Sequence, residues 1–536
     1  MYALKTPFFR PTSRPSSPAP APAQPSRSDS GVSFERSRPL NRLSLTTFRR
    51  ASPAPAPARA ATPTTLVQDG SYLEMLSLKL SEAVSKAVAQ PSGPPAAHEQ
   101  VSGRRPIPAG RGRALGSLIA SELRAASETP HLYRAILRSL HRPLSVLLGN
   151  LSASLLPHLS SPALRALPST VPQAQVLNPT QLHAVAIATF AGELLETFDD
   201  FALGLDGDIR GDGLKLIREG LASLVNRVVQ PFLGLMKREL HPLVESLETL
   251  ATLSTGKTSP SGKTSSYLHP SIVTLQTIVP VYTKAIARYT ATPISQTNLA
   301  TFLISIIWRG LLALTSRPYV APTPPSSPTT IPAVVRKRRG SSTPPLAQSP
   351  GRFVIKLPSS RPPSPPVLAV SSSVTADARA LYDILNQLPR PDAHNAATRL
   401  AKEAVDEAFD ALKALPAFFD VVSYTSPAHS VDDITQRLAT AAEDLPTLIV
   451  LPAVLHVYGL PEMQSVPAML GISDSDYRNG CLTGFGRAEE CATAVGQRLL
   501  DILTPTLGPD TVLCKWLEVE IAEDPFPCCD QSALSR

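Results

Sequence analysis

Residues 178–201 read NPTQLHAVAIATFAGELLETFDDF, and this stretch decides the fold class. Asn178 is a cap for the open amides of a first helical turn, and Pro179 sits where a missing N–H costs nothing. Leu182, Val185, Phe190, Leu194, Phe198 and Phe201 then return to one side at helical spacing for about six turns. Nothing in the stretch alternates with the period of two that a strand requires.

Outward from it the same period recurs. Downstream, Asp212 is placed to cap a helix through Leu214, Ile217, Leu221, Leu224, Val228, Phe232, Leu235 and Leu240, which Pro231 and Pro242 are expected to kink or divide. Helical spacing continues over 267–290 and 297–315, and again over 376–388, 392–415, 430–442, 447–458 and 486–504. In 392–415, Arg399–Glu403 and Lys402–Asp406 form i,i+4 pairs. Upstream, Ser71 and Glu74 have capping-box spacing ahead of Leu76, Leu80, Val84 and Ala87. Only 517–521 alternates like a strand, and Val512, Leu513, Trp516 and Leu517 equally suit a helix. No run of strands and no repeat of fixed length accompanies it. The expected fold is all-α: two helical regions joined by a long Pro/Ser-rich disordered linker, with a disordered N-terminal tail.

Prolines divide the chain. The 536 residues include 56 Pro, about twice the usual share. Residues 1–65 hold 12 Pro and few large apolar side chains, so burial cannot offset the entropy of ordering them. The expected order is a tail at 1–65, an isolated amphipathic helix at 66–90, a linker at 91–113, a helical domain at 114–315, a basic linker at 316–374 and an acidic helical region at 375–536. The last linker holds 14 Pro and no acid.

The net charge of +8 is unevenly spread. It is +8 over 1–65, +5 over 66–315, +8 over 316–374 and −13 over 375–536. Cations thus sit mainly on the Pro-rich segments, whereas a nucleic-acid-binding domain concentrates them on a folded face. Direct nucleic-acid binding is disfavoured. The runs Leu299–Leu314 and Leu445–Leu460 are shorter than a bilayer crossing and contain Arg309 or prolines. Five cysteines, all beyond residue 480, and no secretory signal place the chain inside the cell, nuclear or cytoplasmic. Pro7, Pro11, Pro15 and Pro18 break the amphipathic helix that a mitochondrial presequence needs.

Candidate control sites cluster in the basic linker. Arg336, Lys337, Arg338 and Arg339 form a four-cation run of the kind an acidic import-receptor groove accepts. Ser52 and Ser341 each follow an Arg pair, which resembles the substrates of basophilic kinases. Thr323, Ser327, Thr343, Ser349 and Ser364 precede Pro, the context of Pro-directed kinases. Each phosphate adds about −1.5 to −2 charge, so four or five would cancel the linker's charge. Residues 362–366 carry overlapping P-x-x-P units, for which a spacer is the simpler reading.

Other motifs fail on spacing. Gly256 and Gly262, each opening a Gly-Lys-Thr, have five residues between them where a phosphate loop needs four. Asp206–Asp212 opens like a calcium loop, but Arg210 and Ile217 replace two ligands. Cys481, Cys491, Cys514, Cys528 and Cys529 lack zinc spacing, with Cys491 and Cys514 on apolar faces and the last pair exposed. No hydrolase, zinc-protease or dinucleotide signature is present, and no cofactor is implied. The reading is a non-enzymatic α-helical scaffold that binds proteins through its helices, regulated by phosphorylation. The alternative is a peripheral protein of anionic membrane surfaces, suggested by the apolarity of 267–315.

Overall fold

A computed structural model describes residues 64–92, 100–169, 176–205, 213–250, 268–318, 373–393, 396–423, 430–460 and 462–522. All of them lie within one compact unit, Thr62–Arg536. The chain is all-α, with no β-strand among the described residues. In order the helices are α1 (Thr64–Val88), α2 (Arg111–Ala125), α3 (Pro130–Ser160), α4 (Pro179–Asp200), α5 (Leu214–Glu245), α6 (Pro270–Tyr289) and α7 (Pro293–Thr315). After the long Pro-rich segment come α8 (Val374–Leu385), α9 (Ala396–Ser423), α10 (Val431–Ala442) and α11 (Thr447–Tyr458). The last four are α12 (Val466–Leu470), α13 (Asp474–Cys481), α14 (Phe485–Leu507) and α15 (Val512–Ala522).

The start signal at Asn178 closes on both sides. The Asn178 side chain accepts from the Gln181 amide at 2.9 Å, and Gln181 Oε1 accepts from the Asn178 amide at 3.1 Å. Two donors left open by the first turn of α4 are thereby satisfied. The upstream capping box does not form: α1 begins at Thr64, which leaves Ser71 and Glu74 inside the helix. Nor does α1 stand alone, because Leu76, Leu80, Val84 and Ala87 are buried against α3 and α2. The linker expected at 91–113 ends early as well, since α2 starts at Arg111.

Helix α7 is the centre of the core. Phe302, Leu303, Ile306, Ile307, Trp308, Leu311 and Leu314 are all buried. α5 and α4 cover one part of its surface and α9, α8 and α11 another. The two helical regions on either side of the 316–374 segment therefore share one core. α7 is long and apolar enough to cross a bilayer, yet most of its apolar window is covered by protein. Residues 517–521 belong to α15, whose Leu513, Trp516 and Leu517 are buried.

Proline behaves differently here than in a linker. Pro231 and Pro242 lie inside α5, which runs unbroken from Leu214 to Glu245. Pro143 and Pro157 lie inside α3, and α9 continues past Pro416 to Ser423, eight residues beyond the expected end. Each costs the helix a backbone bond, roughly 3 kcal/mol in an isolated helix interior. Tertiary packing overrides this: the buried row Leu221, Leu224, Val228, Phe232 and Met236 of α5 spans Pro231.

α2 and α4 approach closely because α2 presents glycines. A Cβ at Gly112 would overlap the Phe190 carbonyl oxygen, and one at Gly116 would overlap Thr197 Oγ1. By contrast, the space around Gly234 in α5 is open. Opposite outcomes are expected for the same change. Gly112→Ala should destabilise, because overpacking at about 1–3 kcal/mol exceeds the helix-propensity gain of about 1 kcal/mol. Gly234→Ala should stabilise by about 0.5–1 kcal/mol. Thermal unfolding of the two variants beside the parent chain checks both signs.

Candidate functional site

α7 ends and α8 begins at one place, although 58 residues separate Thr315 from Val374 in sequence. Arg317 Nη1 meets Asp377 Oδ2 at 2.7 Å, with both side chains 0% exposed. Asp377 Oδ1 accepts from the His269 amide at 2.8 Å, and Arg317 Nε donates to the Leu247 carbonyl at 2.7 Å. One ion pair thus joins the turn after α5, the start of α6, the end of α7 and the start of α8. Removing two charges from water is costly, and hydrogen bonds to their remaining atoms are what make such a pair tolerable.

His269 completes the junction. Its Nδ1 accepts from the Ser271 amide at 3.2 Å and caps α6. Burial, helped by the neighbouring Arg317 charge and opposed by Asp377, holds its pKa below the ordinary value. A neutral ring is what the cap requires, since Nδ1 must keep its lone pair.

Three further ties cross between the halves. Trp308 Nε1 donates to the Leu482 carbonyl at 2.8 Å, and its ring lies 4.8 Å from that of Phe485. Arg478 on α13 grips Glu248 with two bonds, at 2.7 and 3.3 Å. Gln296 on α7 accepts from the Asp392 amide at 2.8 Å.

Arg336, Lys337, Arg338, Arg339, Ser52, Ser341, Thr343, Ser349 and Ser364 lie outside the described residues, as do Thr323, Ser327, Pro362–Pro366, Gly256–Thr264, Asp206–Asp212, Cys528 and Cys529. Arg317 is a correction: it was counted among the linker's free cations, and it is a buried partner of Asp377.

Elsewhere, an open groove of about 730 Å³ lies between the end of α3 and α5, walled by Leu159, Leu164 and Phe232 with Arg165 and Arg227 at its rim. Asn226 Oδ1 at its edge accepts from Asn298 at 2.9 Å. Cys481 and Cys491 are neighbours where α13 turns into α14, both half-buried. Burial, with Cys491 beside it, pushes the Cys481 thiol up to about 11. It is therefore a protonated, unreactive thiol at neutral pH. Cys514 is a small core residue, as its apolar face implied. No group of three or more His, Cys, Asp or Glu among the described residues is placed to hold a metal ion.

No protein-family model matches the chain, and no curated protein does. A crystal structure of the C-terminal domain of the exocyst subunit Sec6p is similar over 86% of this chain and 98% of that one, at 10% identity and a TM-score of 0.35. Function is therefore read from this chain's own geometry.

Two outcomes follow from the junction. Asp377→Ala strands a buried guanidinium and should cost about 3–5 kcal/mol in denaturant unfolding, whereas Arg317→Met with Asp377→Leu should recover most of that loss. The second concerns acid. His269, His158 and His241 all have pKa values lowered first by burial. Each is protonated more readily in the unfolded chain, so their contribution is present above the unfolded value of 6.5 and is lost as pH falls through their lower folded values. Unfolding midpoints measured from pH 7.5 to 5 should fall, and His269→Gln should flatten the fall.

Proposed function

We propose that this chain is a non-enzymatic α-helical scaffold that binds partner proteins through its helix faces, with the basic segment as a loop set on the body. One observation supports the reading above others. The Arg317–Asp377 pair brings the exit of the 319–372 segment beside its re-entry, so the body is complete without it. A loop with its ends held together can vary in charge or occupancy while the helical core keeps its packing. Phosphorylation at Ser341, Thr343, Ser349 and Ser364, and use of Arg336–Arg339 by an import receptor, are assigned to that loop. The chain is read as nuclear or cytoplasmic on the same ground.

The peripheral-membrane alternative drew on the apolarity of 267–315. Those side chains are the core of the body: Ile272, Leu275, Val279 and Ile286 of α6 are buried, as is the row along α7. The observation that suggested a membrane thus has a structural account.

Replacing 319–372 by about a dozen Gly and Ser residues tests the reading. Each halving of a loop removes about 0.6 kcal/mol of closure entropy, so the variant should unfold on the order of 1 kcal/mol later. Cross-linking mass spectrometry in cells should show partner proteins joined to the helical body in both chains, with nuclear signal reduced in the variant. Unfolding of the variant would overturn the loop assignment. A full-length chain without partner cross-links on its helices would overturn the scaffold.

A further inference from the structure

Helix α3 carries a charge pattern found nowhere else in the described body. Residues 100–169 contain nine Arg, no Lys and only two acids, Glu122 and Glu128. α3 itself has no Asp or Glu in 31 residues. Arg134, Arg138 and Arg142 recur every fourth residue, all exposed, with His131 and His141 exposed beside them. Side chains at this spacing share a face and stand about 6 Å apart along the axis.

These three guanidiniums stand in one row on an acid-free helix. Many arginines elsewhere are paired, among them Arg113 with Glu196, Arg218 with Asp199, Arg309 with Glu245, Arg379 with Asp420 and Arg487 with Glu490, and those that are not, such as Arg227, Arg238, Arg288 and Arg498, do not form a row of three. Among the described residues, Arg134, Arg138 and Arg142 meet no carboxylate, carbonyl or aromatic ring. Arg also differs from Lys in kind, since its planar fork matches a carboxylate with two parallel bonds.

Past Arg142 the exposed positions are mixed, with two large apolar side chains among Ser145, Asn150, Ala153 and Ser160. Val146, one turn past Arg142, is 55% exposed, and Leu156 is 57% exposed. The cations therefore occupy the first half of the helix, and its large exposed apolar side chains the second. An interfacial membrane helix segregates them around the axis instead, so that both reach the bilayer at every turn. In α3 the apolar stripe that would enter lipid is already turned inward: Ile136, Leu140, Leu144, Leu147, Leu151 and Leu155 are buried. Lengthwise segregation fits a rod with the same division, acidic at one end and apolar at the other.

We propose that the exposed face of α3 docks an acidic amphipathic helix of a partner protein. Arg134, Arg138 and Arg142 receive carboxylates spaced one turn apart, and Val146 and Leu156 receive the partner's apolar end. This deepens the scaffold reading and rests on it, by naming the face used and the chemistry of what lies there.

The test uses the full chain and a synthetic labelled helical peptide with Glu at three successive i,i+4 positions followed by Leu at two more. Fluorescence anisotropy should show binding that weakens at least tenfold in Arg134→Gln/Arg138→Gln/Arg142→Gln and in high salt. Val146→Asp should weaken it as well. A peptide with Lys in place of Glu should bind only the Arg134→Glu/Arg138→Glu/Arg142→Glu chain, which separates recognition from misfolding. Binding that ignores the arginines, or no binding by the parent chain, overturns the proposal. So does tighter, Arg-dependent binding to phosphatidylserine vesicles or to duplex RNA. Loss of the peptide result while partner cross-links persist on other helices removes this inference and leaves the scaffold standing.

Discussion

Much of the architecture depends on a guanidinium and a carboxylate that never see water. Arg317 and Asp377 are each fully buried, and they belong to segments on opposite sides of the longest Pro-rich stretch of the folded body. A pair of apolar side chains would hold two helices together about as strongly, because the desolvation of two ions consumes most of their attraction. What an apolar pair lacks is direction. Arg317 bonds Asp377 through Nη1 and the Leu247 carbonyl through Nε, and the other Asp377 oxygen accepts from the His269 amide, so each bond needs its partner at one place. Slippage of α8 along α7 would leave a buried charge unanswered, so the pair sets register where hydrophobic contact alone would allow several.

The rest of the core is organised around that register. Gly310 on α7 brings Leu381 of α8 so close that a Cβ would collide with it, and Trp308, two residues earlier, reaches the Leu482 carbonyl at the α13–α14 turn. Between Trp308 and Arg317, then, three contacts fix the C-terminal half. Apolar burial supplies the gross stability, but these polar and steric contacts choose one arrangement among those that burial permits. Helix α7 is apolar on nearly every side for this reason. It has neighbours from both halves of the chain, and its composition resembles a membrane span because only a narrow row, Thr297, Thr301 and Arg309, faces solvent.

The helices were legible because their signals are local. Asn178, Pro179 and Gln181 announce a cap within four residues, and the 3.6-residue period of α5 and α6 survives each interior proline. The departures share one cause. Ser71 and Glu74 have capping-box spacing, yet the helix begins earlier because packing against α3 and α2 supports the extra turns. Pro231 reads as a break, yet its helix is held by neighbours that no window of sequence contains. Arg317 looked like one more linker cation, since its partner lies 60 residues away. Asp377 carried a weak signal, an acid in the first turn of α8 where a helix dipole already explains it. The arginines of α3 were hidden by summation: a charge of +5 over 66–315 averages an acid-free helix with the acidic stretches around it.

Charge therefore has a spatial order that composition only hinted at. Within one compact unit, exposed arginines line the first half of α3, while the region from α8 onward belongs to a segment of net charge −13. Between them the 319–372 segment leaves and re-enters at a base closed by its own neutral ion pair. A pair of full charges placed there in water would add to the field of the segment above it. Buried and mutually compensated, it adds almost nothing beyond a few ångströms, since the far field of an opposed pair falls away faster than that of either charge. The base of the loop is thus electrostatically silent, and the seven cations between Arg336 and Arg361 set the sign of the segment by themselves. That separation lets the charge of the segment change while the described body keeps its own electrostatic balance.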